Sequence, residues 1–207
     1  AGKIGLTEAV LSYQALRRRQ PSQLVLIHGL FSNGAFWIPY LQELDNFQVT
    51  LLTVDYRAIL GGGASLDAVA AQVDRIVSEK PAHVIGHSFG SWLAMRLRAP
   101  ALSRSFICPT FAALDFHGSA FRAEMEVRTP FGGDEIAALV KRALNYKRDH
   151  AADLRFISTD NFYLPCDDPY FRYKDRIEEG RTHLVRGGHF DVGPAMSMIA
   201  EMLTLKR

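Results

Sequence analysis

The pentapeptide Gly86-His87-Ser88-Phe89-Gly90 places a serine between two glycines in the pattern G-x-S-x-G. It follows the apolar pair Val84-Ile85 and precedes a helix-like run that contains Trp92, Leu93, Met95 and Leu97. A sharp strand-to-helix turn would expose the serine hydroxyl, and it needs glycines because larger side chains at positions 86 and 90 would collide with their neighbours. The pattern therefore predicts a nucleophilic serine. A plain glycine-rich turn with a solvated serine is the alternative.

A serine hydroxyl is a poor nucleophile unless other groups assist it. A base must accept its proton, an acid must orient that base, and hydrogen-bond donors must stabilise the oxyanion that forms on attack. His189 is the preferred base among the seven histidines, because it follows the strand-like run at 182–185 and a Gly187-Gly188 pair and precedes a helix-like segment. His183 and His150 are interpreted as structural or solvated.

The acid is sought between the serine and the histidine. Asp160 directly follows a run predicted as a strand over 154–159, and it is the preferred candidate. Asp167 and Asp168 are the alternatives. Because Asp168 precedes a proline and a helix-like segment, it is interpreted as a helix N-cap.

Strand-like and helix-like segments alternate along the chain. The apolar strand-like runs are typical of strands buried on both faces, and they are Leu24–Ile27, Val49–Val54, Val84-Ile85, Phe106-Ile107, Phe156-Ile157 and Leu184-Val185. Leu11–Leu16 could supply one edge strand. Ser65 and Pro194 mark the beginnings of two predicted helices. The alternation predicts an α/β fold with a mostly parallel sheet and helices on both faces.

A long segment separates the strand-like runs at 105–108 and 154–158, although one crossover helix would be enough to join parallel strands. Ile136, Leu139, Val140, Ala143 and Leu144 in this segment fall on one face of a predicted helix. We therefore predict one domain over 1–207 with a short helical cap inserted at 112–150. A long irregular crossover is the alternative. The cap phenylalanines are interpreted as the cap's own core or as the wall of an acyl pocket; they are Phe116, Phe121 and Phe131.

These motifs together resemble the α/β-hydrolase family from about residue 10 to the C-terminus. The run Leu24–Asn33, with its His28-Gly29 pair, resembles the family's oxyanion loop, and Gly86–Gly90 resembles its nucleophile elbow. The chain order of serine, acid and histidine is also that of the family. The resemblance implies a catalytic triad of Ser88, Asp160 and His189, with Asp160 and His189 each following a strand.

The resemblance also assigns roles to residues beside the triad. It implies that the backbone N–H groups of Leu30 and Phe89 form the oxyanion hole. It implies that His28 and His87 are structural, hydrogen-bonded or packing residues. No cofactor and no metal ion is predicted.

Composition excludes several other classes of protein. The 24 Lys and Arg residues nearly balance the 22 Asp and Glu residues, which argues against a dedicated nucleic-acid binder. No apolar run approaches the ~18 residues of a membrane span. Cys108 and Cys166 form neither a disulfide framework nor a metal-binding pair, and no apolar signal segment follows Ala1. A reduced, cytoplasmic compartment is therefore preferred.

The predicted function is hydrolysis of a carboxylic ester or thioester through an acyl-enzyme. An acyltransferase with the same triad and a non-catalytic ligand-binding protein on the same scaffold are the alternatives. The predicted partner is a small-molecule acyl substrate. An acidic acyl-carrier protein is a further candidate partner because of the basic residues Arg17, Arg18, Arg19, Arg96, Arg98 and Arg104.

Overall fold

The computed structural model describes residues 10–16, 22–44, 47–173, 177–178 and 180–205. Within these ranges the strands are β1 (Leu11–Leu16), β2 (Gln23–Ile27), β3 (Gln48–Val54), β4 (Ala82–His87), β5 (Ser103–Ile107), β6 (Ala113–Phe116), β7 (Asp160–Pro165), β8 (Phe171–Tyr173) and β9 (Arg181–Val185). Seven of them form one sheet in the order β1-β3-β2-β4-β5-β7-β9. Strand β1 is antiparallel to β3, and the other neighbours in this sheet are parallel. The fold is therefore α/β with a mostly parallel sheet, as predicted.

Helices cover both faces of this sheet. They are α1 (Tyr56–Leu60), α2 (Leu66–Ser78), α3 (Gly90–Arg96), α4 (Gly118–Arg128), α5 (Gly133–Asp149) and α6 (Gly193–Leu205), with 3₁₀ segments at Gly34–Leu44, Thr110–Ala112 and Ala151–Asp153. Helix α2 packs against α3, and α6 packs against the segment Gly34–Leu44. Because crossovers between parallel strands are right-handed, the β2-to-β3 connection lies on the opposite face from the crossovers that run toward β9. No helix in the described ranges is long and apolar enough to cross a membrane.

The core follows from the apolar runs of the central strands. Leu24, Val25, Leu26 and Ile27 in β2 are fully buried, because helices or segments pack on both faces of the strand. Helix α2 begins where the sequence predicted, since the Ser65 hydroxyl accepts the N–H of Ala68 at 3.0 Å. The predicted strands at 24–27, 49–54, 84–85, 106–107 and 184–185 are confirmed.

The strand predicted over 154–159 is wrong. Residues 154–157 have no regular structure, and β7 begins only at Asp160. The helix-like segment predicted after Asp168 instead contains β8, which pairs antiparallel with β6 in a separate two-stranded sheet. The segment 112–150, predicted as a cap, contains β6, α4 and α5, and the two helices pack on each other.

A buried ion pair joins β5 to β7 near the amino ends of these strands. Arg104 Nε and Nη2 donate to the two carboxylate oxygens of Asp160 at 2.8 and 2.7 Å. Asp160 Oδ2 also accepts the N–H of Ile157 at 2.9 Å, and Arg104 Nη2 donates to the carbonyl of Arg155 at 2.8 Å. Both charges are thus satisfied inside the protein, and the pair fixes the irregular chain that leads into β7.

Two buried histidines hold the loops at the opposite, carboxyl edge of the sheet. His28 Nε2 accepts the N–H of Val54 at 2.9 Å, and its Nδ1 donates to the carbonyl of Gly29 at 2.7 Å. His87 Nε2 donates to the backbone carbonyl of His189 at 2.7 Å. Burial lowers the pKa of His28 to about 4 and the pKa of His87 to about 3, so both rings are neutral at pH 7.

Replacing Asp160 by asparagine should strongly destabilise the fold. The variant leaves the Arg104 guanidinium buried without its negative partner, and such a loss lowers the free energy of unfolding by about 3–5 kcal/mol. Urea unfolding followed by far-ultraviolet circular dichroism measures the change. Asp134→Asn is the matched control, because the Asp134 side chain is fully exposed and should contribute little. Equal stability of the two variants would contradict the structural role of the ion pair.

The free energy of unfolding should also fall as the pH is lowered from about 6.5 to about 4. Across this window the unfolded chain protonates His28 and His87, whereas the folded chain, with its lowered pKa values, does not. Since the unfolded state then binds more protons, each histidine removes up to about 1.4 kcal/mol per pH unit.

Urea unfolding at about pH 7 and about pH 5 tests this expectation, in a range where ordinary carboxyl groups remain ionised. His87→Gln should reduce the pH dependence, because it removes one of the two buried rings whose pKa is lowered. Identical stability of the parent protein at the two pH values would show that the buried rings do not resist protonation.

Candidate active site

Ser88 occupies a strained turn between β4 and α3. Its φ of 52° lies in the left-handed region, which residues other than glycine rarely adopt. A Cβ atom on Gly90 would lie 2.3 Å from the carbonyl oxygen of His28, and one on Gly86 would lie 3.0 Å from Cα of Ser91. Gly90 therefore allows the turn to pack against the end of β2 and the loop after it, and Gly86 allows the start of α3 to pack against the end of β4.

The structure brings Ser88 and His189 together. Ser88 Oγ lies 2.8 Å from His189 Nε2, and both residues are buried. His189 lies in the loop between β9 and α6, and Gly187 at its start adopts a φ of 97° that allows the chain to turn. The hydrogen bond from His87 to the carbonyl of His189 fixes this loop against the end of β4.

Asp168 supplies the carboxylate that contacts this histidine. Asp168 Oδ2 accepts a hydrogen bond from His189 Nδ1 at 2.9 Å, and the two side chains are 0% and 1% exposed. Asp168 Oδ1 accepts the N–H groups of Tyr170 and Phe171 at 2.9 and 3.0 Å. One oxygen thus stabilises the turn after Pro169, while the other orients the imidazole.

Asp160 does not occupy this position, and its prediction as the acid is corrected. Because β7 begins at Asp160, this residue lies at the amino end of its strand, on the opposite edge of the sheet from Ser88. Its carboxylate binds Arg104 instead. Asp167, the other alternative, is exposed.

The sequence contains a pattern that places Asp168 after the carboxyl end of a strand, but the strand was predicted too early in the chain. The apolar run Phe162-Tyr163-Leu164 forms the centre of β7, so the loop after it, rather than the residues after 159, follows the strand's carboxyl end. The capping interpretation of Asp168 was half correct, because Oδ1 does accept backbone N–H groups of the next turn. No local pattern around Asp168 indicates that its Oδ2 faces a histidine from another loop.

The loop after β2 lies directly against the serine turn. A Cβ atom on Gly29 would lie 2.9 Å from Cβ of Ser88, so only glycine allows this approach. Phe31 in the same loop adopts a φ of 65°. Leu30 and Phe89, the residues predicted to supply oxyanion donors, both line the cavity at Ser88.

Tyr173 and Cys108 complete the surroundings of the histidine and were not predicted. The Tyr173 hydroxyl donates to the carbonyl of Cys108 at 3.1 Å and lies 3.4 Å from His189 Nδ1. Burial raises the pKa of both the Tyr173 phenol and the Cys108 thiol, and the charge of Asp168 raises the pKa of each further. Both groups are therefore neutral at pH 7.

One cluster in the described residues has the spacing of a metal site. The group consists of the sulfur of Cys108, a carboxylate oxygen of Asp168 and a ring nitrogen of His189, and these atoms lie within 4.8 Å of one another. A metal binds a thiolate, whereas burial favours the protonated thiol here. The carboxylate and the imidazole are also hydrogen-bonded to each other. These donors fit an oriented histidine better than a bound ion.

A cavity of about 310 Å³ opens on Ser88. Aromatic and aliphatic side chains form most of its wall, among them Phe89, Phe116, Phe121, Val140, Leu144 and Phe171. Helices α4 and α5 and strands β6 and β8 contribute these residues, except for Phe89, which belongs to the turn at Ser88. Phe116 and Phe121 thus face the cavity, whereas Phe131 lies in a neighbouring groove under the Arg57 guanidinium.

Two of the basic residues considered as a carrier-protein contact have carboxylate partners within the protein. Arg104 is buried in its ion pair with Asp160. Arg96 pairs with Asp67 and Asp153 at 3.0 Å each. The run Arg17 to Arg19 lies outside the described residues. The prediction of a carrier protein as partner therefore gains no support from these arginines.

Known structures resemble this fold at low sequence identity. An alpha/beta superfamily hydrolase from Oenococcus oeni gives a TM-score of 0.65 at 14% identity, with 98% of this chain and 97% of that chain covered. A lipase-esterase related protein from Clostridium acetobutylicum gives 0.61 at 12% identity, with 95% and 99% covered. A mutant N-acyl homoserine lactonase complexed with N-hexanoyl homoserine lactone gives 0.63 at 15% identity, with 95% and 93% covered.

Because these sequence identities are low, the similarity to the solved structures is evidence for the fold and not for a shared activity. A search of curated protein sequences found no match. The sequence model described as the alpha/beta hydrolase family matches residues 24–200, which include the serine turn, Asp168 and His189. Since this match covers most of the sequence and the sheet order agrees with it, the chain belongs to the alpha/beta hydrolase family.

Proposed function

We propose that the chain is a serine hydrolase that cleaves a carboxylic ester or a thioester, with Ser88, His189 and Asp168 as its catalytic triad. The observation that carries the proposal is the continuous set of hydrogen bonds from Ser88 Oγ to His189 Nε2 and from His189 Nδ1 to Asp168 Oδ2. A buried carboxylate, an imidazole and an activated serine in this arrangement are the parts that acyl transfer requires.

Acylation begins when Ser88 Oγ attacks the substrate carbonyl carbon and His189 Nε2 accepts the hydroxyl proton. The carbonyl π electrons move to oxygen and form a tetrahedral oxyanion. When this intermediate collapses, the bond to the alcohol or thiol breaks and the leaving group takes the proton from His189. Asp168 keeps Nδ1 protonated throughout and stabilises the imidazolium that forms.

Deacylation repeats these steps with water as the nucleophile. His189 removes a proton from water, the hydroxide attacks the acyl carbonyl, and the bond to Ser88 Oγ breaks as His189 returns the proton. The products are a carboxylic acid and the free enzyme. The backbone N–H groups of Leu30 and Phe89 are proposed as the oxyanion donors, because both residues line the cavity beside Ser88.

The cavity supports an acyl group of moderate size. Its volume of about 310 Å³ corresponds to roughly ten non-hydrogen atoms if each occupies about 30 Å³, the volume of a water molecule in the liquid. Its largely apolar wall favours a hydrocarbon chain over a strongly hydrated group. One compared structure holds N-hexanoyl homoserine lactone, so a cyclic ester belongs in the substrate panel.

Ser88→Ala should abolish ester hydrolysis. The parent protein should hydrolyse p-nitrophenyl esters of two to twelve carbons with an optimum set by the cavity, and the variant should lose at least about 10⁴-fold in kcat. Matched acyl-coenzyme A thioesters, assayed in parallel, separate an esterase from a thioesterase. A fluorophosphonate probe should label the parent and leave Ser88→Ala unlabelled.

Ser91→Ala is the matched control for this measurement. Ser91 lies three residues later at the start of α3, and its hydroxyl donates to the carbonyl of Ser88 rather than facing the substrate. The control should remain reactive toward the probe. Wild-type turnover by Ser88→Ala would refute the proposal, and a folded parent that binds esters without product formation would indicate a ligand-binding protein.

Asp168→Asn should reduce kcat by about 10⁴-fold, because an amide no longer holds the imidazole in the required tautomer. Asp160→Asn provides the comparison, since both substitutions remove one buried carboxylate. Asp160→Asn should lower stability but retain kcat per folded molecule at a temperature where the variant remains folded. Steady-state kinetics, normalised to the folded fraction by circular dichroism, distinguishes the two residues. A larger kinetic loss in Asp160→Asn would assign the acid to Asp160 instead.

A further inference from the structure

Lys147 brings a positive charge to the wall of an otherwise largely apolar cavity. It lies on α5, is half-buried, and lines the same cavity as Ser88. Its ammonium Nζ donates one hydrogen bond, to the carbonyl of Ala113, at 2.8 Å. Burial lowers the pKa of Lys147, which reflects the unfavourable removal of this charge from water.

No carboxylate in the described part of the chain forms an ion pair with this ammonium. Other basic residues of the same region are paired, as Arg57 is with Glu135 at 3.4 Å and Arg122 with Glu126 at 3.0 Å. Asp115 also lines the cavity, but it is exposed and its Oδ1 accepts the N–H of Phe116 at 2.7 Å. An ammonium has three donors, so Lys147 has donors available for a ligand.

Thr110 also lines the cavity, but its hydroxyl oxygen is buried out of contact with the cavity and cannot reach a substrate. The ammonium of Lys147 is therefore the relevant group, and a substrate carboxylate would supply the negative charge that it lacks.

We infer that the acyl group bound in this cavity carries a carboxylate at its far end, and that Lys147 binds this carboxylate. The substrate class is therefore the half-ester or half-thioester of an aliphatic dicarboxylic acid. This inference rests on the proposed hydrolase function. The six-carbon adipoyl group, with roughly ten non-hydrogen atoms, matches the cavity volume.

The test compares two esters that differ only at the far end of the acyl chain, the mono-p-nitrophenyl ester of adipic acid and p-nitrophenyl hexanoate. The parent protein should prefer the adipate ester at least tenfold in kcat/KM, which corresponds to about 1.4 kcal/mol. Lys147→Met keeps the length of the side chain without its charge, and this preference should fall at least tenfold. Lys147→Arg should restore most of it.

A matched variant separates a specific contact from a general charge effect. Lys141→Met removes the same charge from an exposed position on α5 that lies outside this cavity, and it should leave the preference unchanged. The ratio of the two kcat/KM values is the readout, because a loss of folding or of catalysis lowers both values together.

Two results would overturn the inference. One is a parent protein that hydrolyses both esters equally well or prefers hexanoate, and the other is an unchanged ratio in Lys147→Met. In either case, turnover that depends on Ser88 would leave the proposed hydrolase function standing.

If neither ester is hydrolysed, a binding measurement tests whether the cavity prefers a ligand with a terminal carboxylate. Calorimetry with Ser88→Ala should then detect tighter binding of adipate monoethyl ester than of ethyl hexanoate, and the difference should disappear in Ser88→Ala combined with Lys147→Met. Equal binding of the two esters would overturn the inference that Lys147 binds a carboxylate, whether or not the protein hydrolyses esters.

Discussion

The His189 imidazole keeps one orientation toward Ser88 only if both of its ring nitrogens and its backbone carbonyl have hydrogen-bond partners. Asp168 binds one nitrogen, Ser88 Oγ lies beside the other, and His87 binds the carbonyl of the same residue. Asp168 lies in the loop after β7, His87 and Ser88 lie at the carboxyl end of β4, and His189 itself lies in the loop after β9. Because the three strands are parallel, their carboxyl ends meet at one edge, and the sheet brings together residues that are far apart in sequence.

Close backbone contact at this edge depends on residues without side chains. Gly29 and Gly90 allow the loop after β2 to touch the turn at Ser88, and neither position has room for a methyl group. The neutral ring of His28 then ties the loop after β2 to the end of β3. The loops after β2 and β9 are thus held by packing and by the hydrogen bonds of two neutral histidines, whereas the Arg104–Asp160 ion pair lies at the other edge of the sheet.

Local patterns predicted the parts of the site that local geometry determines. Ser88 was predicted because the turn demands glycines at fixed positions, and His189 because it follows the last strand-like run; the structure places the two side chains in contact. Asp168 was not preferred, because choosing an acid requires the end of β7. The pair Phe156-Ile157 resembled a strand, although Phe156 only packs against Phe162 of β7 and Ile157 is exposed. Strands β6 and β8 are short and pair with each other across a long interval, so their sequences carry little periodic signal. The charge of Lys147 could be read from the sequence, but its position in the cavity could not.

The two cysteines differ in a way that makes the molecule convenient to label. Cys108 is buried and kept as a neutral thiol, while Cys166 is exposed directly after β7 and two residues before Asp168. A maleimide dye applied to the native protein would therefore attach at one defined point near Asp168 and His189, without any cysteine having to be removed. Fluorescence from that dye would report on the loop that carries Asp168 when a ligand is added.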